Sequence, residues 1–202
     1  MSRPIVAFDY DGTLIDAFEA KRESYWRAAA ESLGLGDDAR AVVDASYART
    51  SGANRFDQFV DTCRALGRDA AEAHRQEFSR LYSHYNAAFK ERMREFPSVR
   101  HVLGTLRARY DLALLSGLLH DLLLTDVRER GLKSFFDVVE GGDKAGSLER
   151  LRAAERSVVL FVGDTSHDEA VAREAGVAFY HVAGDKDLRR LPEALEKLRT
   201  SS

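Results

Sequence analysis

Ile5-Val6-Ala7-Phe8-Asp9-Tyr10-Asp11-Gly12-Thr13-Leu14 is an apolar run that stops at two aspartates one residue apart. Ile5 to Phe8 carries no polar residue, as expected of a strand covered on both faces in a parallel sheet. Gly12 lets the backbone turn sharply just beyond it. Ligands collect beyond the carboxyl ends of such strands, so Asp9 and Asp11 are expected to project into a site. Two carboxylates this close repel one another, and a divalent cation or a proton relieves the repulsion. A solvated Asp-x-Asp-Gly turn is the other reading of these residues taken alone. An EF-hand calcium loop is excluded by spacing, because Leu14 stands where glycine is required and Ala20 where a bidentate glutamate is required.

Outward from this stretch the chain has two textures. From about residue 16 to 93 it is helical. Phe18, Tyr25, Trp26, Ala29 and Leu33 form one apolar stripe, stopped by Gly34 and Gly36. A second helix follows Asp37-Asp38, and Ser51-Gly52-Ala53-Asn54 marks a loop. Phe56, Phe59, Val60, Cys63 and Leu66 make the next stripe, ended by Gly67, and a fourth helix is expected over about 69–93. Its Phe78, Leu81, Tyr82, Tyr85 and Phe89 read as packing residues. Phe96-Pro97 then breaks the pattern.

Beyond it, helices and strands alternate. Helices are expected around Val99 to Leu106 and over 122–130, 148–154 and 168–175; strands over 112–115, 138–139 and 158–162; 177–182 and 191–198 finish the chain. The alternation predicts the α/β class: a Rossmann-like parallel sheet between helices, with right-handed crossovers. The domain reading is a core of residues 1–15 and 96–202, interrupted by a helical insertion over 16–95.

A length of 202 residues suits one domain, or one domain with an insertion. Hydrophobic residues at 45%, charged residues at 31% and a net charge of -3 argue against a disordered or fibrous protein. Acids are interleaved with the arginines between Arg22 and Arg109, which reads as solvated helix faces and not as a nucleic-acid surface. Cys63 is the only cysteine, which excludes a disulfide framework or thiolate metal site and fits a reducing cytoplasm. The first apolar run is too short for a signal peptide, and no span of roughly 18 apolar residues occurs. A cytoplasmic protein with no membrane partner is expected. No Gly-x-Ser-x-Gly elbow, P-loop or dinucleotide fingerprint is present.

Polar residues close each strand of the expected sheet. The first delivers Asp9 and Asp11, the strand over 112–115 delivers Ser116-Gly117, and the strand over 158–162 delivers Gly163-Asp164-Thr165 with Asp168 four residues on. Lys144 falls just before a helix. Singly, Ser116 and Asp164 read as helix caps and Lys144 as a surface charge. Together they supply a nucleophile, a proton donor, oxygen ligands for a metal, an amine and a hydroxyl, which is the set that phosphoryl transfer requires.

Asp9-Tyr10-Asp11-Gly12-Thr13, Leu115-Ser116-Gly117, Lys144 and Gly163-Asp164-Thr165-Ser166-His167-Asp168 resemble, in order and spacing, the four motifs of the haloacid dehalogenase superfamily. The helical insertion resembles the cap of its phosphoglycolate phosphatase-like branch. The resemblance implies that Asp9 is the nucleophile, forming an aspartyl-phosphate, and Asp11 the general acid and base. It implies that Ser116 and Gly117 bind the phosphoryl group and that Lys144 neutralises charge on it and on Asp9. Mg²⁺ is implied on Asp9, the backbone carbonyl of Asp11, and Asp164, with Asp168 as a direct or water-mediated ligand. Dehalogenases generally lack the second aspartate, so Asp11 points to phosphate esters. Ala145 departs from the branch, where a proline usually follows the lysine, and Lys133 is the rival lysine but lies early.

The cap is expected to choose the substrate, a small phosphorylated metabolite. Arg49 and Arg55 flank the loop where the family places its specificity segment, and either suits a carboxylate or second phosphate; an exposed surface arginine is the alternative for both, and for Arg22. His120 and His167 are read as supporting or surface residues. The activity expected is that of a phosphatase, as a monomer or homodimer. A sugar phosphomutase is the first alternative, and a phosphate-sensing or partner-binding protein without turnover is the second.

Overall fold

The computed structural model describes residues 3–153 and 157–200. From β1 (Ile5–Phe8) the chain turns into the two-residue β2 (Ile15–Asp16). Four helices follow: α1 (Phe18–Leu33), α2 (Arg40–Thr50), α3 (Arg55–Ala65) and α4 (Glu72–Ala88). The chain returns through β3 (Arg94–Glu95), which pairs with β2, to α5 (Val99–Arg107) and β4 (Asp111–Ser116). Next come α6 (His120–Glu129), β5 (Val138–Gly141), α7 (Lys144–Ala153) and β6 (Val158–Gly163). The chain closes with α8 (Ser166–Glu174), β7 (Phe179–His181) and α9 (Asp185–Thr200). Two compact units result, divided between Asp16 and Ala17 and between Arg94 and Glu95.

The strands outside the β2–β3 pair form one parallel sheet in the order β5-β4-β1-β6-β7. This is the α/β class expected from the alternation. β1 is central, and both its faces are covered. Ile5 and Ala7 share a cluster with Leu115 and Phe161, Leu148 and Leu151 of α7, and Val171 and Ala172 of α8. Val6 and Phe8 point the other way, as strand alternation requires, and the Phe8 ring meets Phe136 edge-on at 6.4 Å. Burying each of Ile5, Val6 and Phe8 contributes about 1.5–3 kcal/mol, which is why this run has no polar position. Phe8 stands opposite both Leu114 and Val162. That register makes β4, β1 and β6 end side by side, so the polar residues after each strand share one edge.

The helical unit has its own core. The Tyr25 and Phe78 rings meet edge-on at 5.0 Å, and Phe59 stacks on Phe78 at 4.5 Å. The Tyr25 hydroxyl is satisfied by Thr62 Oγ1 at 2.7 Å, and Ser46 Oγ lies 2.8 Å from the same atom. Phe78, Leu81 and Tyr82 are packing residues, but Phe18 and Phe56 are exposed at 39% and 40% and stand outside the stripes expected of them. Each finds a partner nearer the surface: Phe18 lies against Tyr47, and Phe56 carries the Arg75 guanidinium.

Several boundaries differ from expectation. α4 ends at Ala88, because Phe89 leaves helical dihedrals (φ -101, ψ 9) and only a 3₁₀ turn, Lys90–Arg92, follows. The seventh helix begins at Lys144, four residues earlier than expected, where Asp143 Oδ1 accepts from the Gly146 amide at 3.0 Å and caps the first turn; its expected last residue, Ala154, lies outside the described residues. No described helix is long and apolar enough to cross a membrane.

Candidate active site

Asp9 is the first residue past β1, yet its amide still donates to the Val162 carbonyl at 2.8 Å. The strand thus holds its backbone while its side chain extends beyond the sheet. The chain then folds back within six residues: Leu14 and Ile15 donate to the Tyr10 carbonyl at 2.9 and 3.1 Å, and Gly12 donates to Ile15 at 2.7 Å. Gly12 has φ +92, and a Cβ there would lie 2.1 Å from Asp164 Oδ2. Both the turn and the approach to Asp164 therefore require glycine. Gly12→Ala is expected to destabilise the protein by at least about 1–2 kcal/mol from the backbone alone, and to lower activity by displacing Asp164. Denaturant melts and kinetics on one preparation check both effects.

Lys144, as the first residue of α7, is buried beside the aspartates. Its Nζ lies 2.7 Å from Asp9 Oδ1 and 2.6 Å from Asp168 Oδ1. Asp168 is held on its other oxygen by Thr165, whose Oγ1 donates at 2.6 Å and whose amide donates at 3.1 Å. The Asp168 amide donates back to Thr165 Oγ1 at 3.1 Å, completing a capping box at the start of α8. Asp164 accepts from Thr13 Oγ1 at 3.1 Å. One carboxylate oxygen from each of Asp9, Asp164 and Asp168 lies within 4.8 Å of the others. The Asp11 carboxylate is outside that grouping.

The charges do not balance, since three carboxylates face one ammonium. Burial pushes the Asp9 carboxyl well above its ordinary value, with Lys144 pulling it down and Asp168 and Asp164 pushing it further up. Asp164 is likewise raised by burial and by Asp168. Burial also acts to raise Asp168, but Lys144 and Thr165 outweigh it and hold that carboxyl below the usual range. For Lys144, burial favours the neutral amine, and the two carboxylates overcome it and keep the ammonium. One ammonium is therefore too little to keep Asp9 and Asp164 both ionised at their ordinary values. Acceptor-only oxygens at this spacing fit a hard divalent cation.

Ser116 ends β4 and is buried; its Oγ accepts from the Leu118 amide at 3.1 Å, which leaves the hydroxyl hydrogen for another acceptor. Gly117 follows and is exposed. Lys133 is not near the carboxylates in its contacts, for its Nζ donates to the Phe136 carbonyl at 3.1 Å. His120 and His167 are exposed in the first turns of α6 and α8.

The arginines belong to the helical unit. Arg49 is ion-paired with Asp61, and Arg22 with Glu19 at 2.7 Å. Arg55 differs. It is half-buried, donates from Nη1 to Ser83 Oγ at 2.8 Å, and lies over the Tyr82 ring at 5.4 Å. The other half-buried arginines, Arg22, Arg40, Arg75, Arg107 and Arg130, each have a carboxylate within 4.0 Å. Among the described residues Arg55 has none.

Thr13, Thr165 and Tyr10 received no role from the sequence. The spacing Thr165-x-x-Asp168 at a helix start was a usable signal for the capping box; nothing local marks the partners of Thr13 or Tyr10.

A parallel α/β sheet that gathers carboxylates and a lysine at its carboxyl edge defines a class of hydrolases. A sequence model of the family described as haloacid dehalogenase-like hydrolase matches residues 6–182, and the chain belongs to that family. A phosphoglycolate phosphatase of Chromobacterium violaceum is 28% identical over 189 residues, covering 86% of this chain and 82% of that protein. Another phosphoglycolate phosphatase, from Mesorhizobium japonicum, is 26% identical over 189 residues, covering 88% and 81%. A solved haloacid dehalogenase-like family hydrolase from Streptococcus pneumoniae superposes with a TM-score of 0.69 at 21% identity, over 93% of this chain and 90% of that one. That likeness is one of fold.

Proposed function

We propose that the protein is a Mg²⁺-dependent phosphatase that hydrolyses a small phosphorylated metabolite through an aspartyl-phosphate on Asp9. The observation that carries this reading is the Asp9 carboxylate, buried 2.7 Å from Lys144 Nζ among carboxylates that lack a full complement of positive charge. The phosphoglycolate phosphatases to which the chain is similar support the same chemistry. Asp9 attacks phosphorus, and the bond to the leaving oxygen breaks as Asp11 protonates that oxygen. Asp11 then takes a proton from the water that attacks the acyl-phosphate, releasing phosphate and restoring Asp9. Ser116 donates to a phosphoryl oxygen, with Gly117 beside it, and Lys144 lowers the Asp9 carboxyl against burial and faces the growing negative charge. Asp9, the carbonyl of Asp11, Asp164 and Asp168 would hold Mg²⁺, which when bound neutralises charge on the phosphoryl oxygens.

Selection of the remainder of the substrate is assigned to the helical unit, residues 17–94. Arg55 is its best-suited residue, because Arg49 and Arg22 already have acidic partners. A substrate carrying a carboxylate or second phosphate follows. Arg55→Ala is expected to raise KM for such a substrate about 10- to 100-fold, the loss of a charge-assisted pair; equal activity toward every substrate would remove the assignment. The composition, with one buried cysteine, supports a cytoplasmic protein, and a monomer or homodimer is proposed with it.

The test is phosphate release from a panel of phosphoglycolate, sugar phosphates, nucleotides and pyrophosphate, with Mg²⁺ and with EDTA. Selective, metal-dependent release is expected. Turnover that requires a bisphosphate activator and yields an isomerised sugar phosphate would mean transfer to a sugar in place of hydrolysis.

A further inference from the structure

Tyr10 lies between the proposed nucleophile and the proposed general acid, and it is 1% exposed. Its carbonyl is the acceptor on which the turn closes, taking the amides of both Leu14 and Ile15. Its side chain is buried, and its hydroxyl donates to Asp126 Oδ2 at 2.7 Å. Asp126 is in the middle of α6, where aspartate is a poor choice for helix stability. Arg130 Nε donates to the same carboxylate oxygen at 2.9 Å. The Arg130 carbonyl, at the end of α6, accepts from Arg100 Nη2 at 2.5 Å, and Arg100 is ion-paired with Glu95. The pivot of the turn is therefore tied through one oxygen to α6, and α6 is itself fastened at its far end.

We infer that Tyr10, through Asp126, is a positioning residue that sets the direction of the Asp11 carboxylate for proton transfer to the leaving oxygen. The Asp11 carboxylate lies outside the grouping formed by Asp9, Asp164 and Asp168. Asp11 follows Tyr10 directly, so the turn that closes on the Tyr10 carbonyl places its backbone. The Tyr10 anchor ties that backbone to α6 through Asp126. α6 starts at His120, shortly after Ser116 and Gly117. The same bond therefore keeps the segment carrying Asp11 in register with the segment that carries the phosphoryl-binding hydroxyl.

The assignment rests on the reading of Asp11 as general acid, and leaving-group dependence tests it. An alkyl phosphate such as glycerol phosphate needs its leaving oxygen protonated, whereas p-nitrophenyl phosphate releases a stabilised phenolate. In Tyr10→Phe, kcat for the alkyl ester is expected to fall about 10- to 100-fold, and at least several-fold more than kcat for the aryl ester. Asp126→Ala is expected to reproduce this skew, and the double variant to lose no more than the worse single one. Equal losses on both esters would show a general structural role and overturn the inference, as would additive losses. An independent arm needs no turnover: ¹⁵N relaxation of the Asp11 amide, in the full chain, is expected to show lower order in Tyr10→Phe than in wild type. Unchanged order would overturn the anchor even if the enzyme proved active. Silence of wild type on every ester, with the order still falling, would locate the failure in the phosphatase reading instead.

Discussion

Asp9→Asn is expected to abolish turnover, with kcat reduced by at least about 10³-fold and toward the far larger losses seen when a covalent nucleophile is deleted. The amide keeps the shape of the side chain but cannot attack phosphorus. Stability should move the other way. Burial already raises the Asp9 carboxyl, and Asp168 and Asp164 raise it further, so removing this charge relieves the folded state of a repulsion in the metal-free protein. The expected pair of results is an inactive variant that melts at or above wild type in EDTA, checked by kinetics and thermal unfolding on one preparation. An inactive variant that melts far lower would assign the loss to misfolding.

Lys144→Ala is expected to lose both activity and stability. The ammonium sits 2.7 Å from Asp9 and 2.6 Å from Asp168, with all three side chains at most 4% exposed. Removing one member of a buried charge group leaves the others uncompensated, at a cost of about 3–5 kcal/mol. Loss of an electrostatic partner for the phosphoryl group costs about 10²–10³ in rate. The deficit in stability has a defined pH dependence. In wild type, Lys144 holds the Asp168 carboxyl below 3.8, so the stability this pair contributes is present above that value and is lost as pH falls through the folded-state value. The gap between wild type and Lys144→Ala is therefore largest at neutral pH and narrows on acidification past 3.8. Unfolding curves at neutral pH and below the ordinary aspartate range measure it.

What was legible in the sequence was whatever burial or chain direction imposes locally. Ile5 to Phe8 had to be apolar because both faces of β1 are covered, and the alternation after Pro97 had to give parallel strands whose polar ends share an edge. The order of the sheet then followed only from the structure. The apolar spacing over 191–198 marks only the second half of the last helix, which starts at Asp185 and runs through Pro192. At the start of α7, where Ala145 departs from the branch, Asp143 Oδ1 accepts from the Gly146 amide.

Contacts between distant segments left no local mark. The spacing of arginines near residues 49–55 could not show that Asp61, one helix on, neutralises Arg49 while Arg55 meets only hydroxyls, a carbonyl and a ring. Nor could it show that Tyr10 reaches Asp126. Hydrophobic period alone placed Phe18 and Phe56 in the core, because it counts residues and not the surface each helix has available to cover.

The most direct measurement is an acid quench of the enzyme during turnover of a ³²P-labelled ester, followed by peptide mapping. A labelled peptide containing Asp9 is expected in wild type, chased to free phosphate on continued incubation with Mg²⁺, and no label in Asp9→Asn. Rapid phosphate release with no labelled Asp9 peptide at any time, or label persisting in Asp9→Asn, would contradict the aspartyl-phosphate on Asp9.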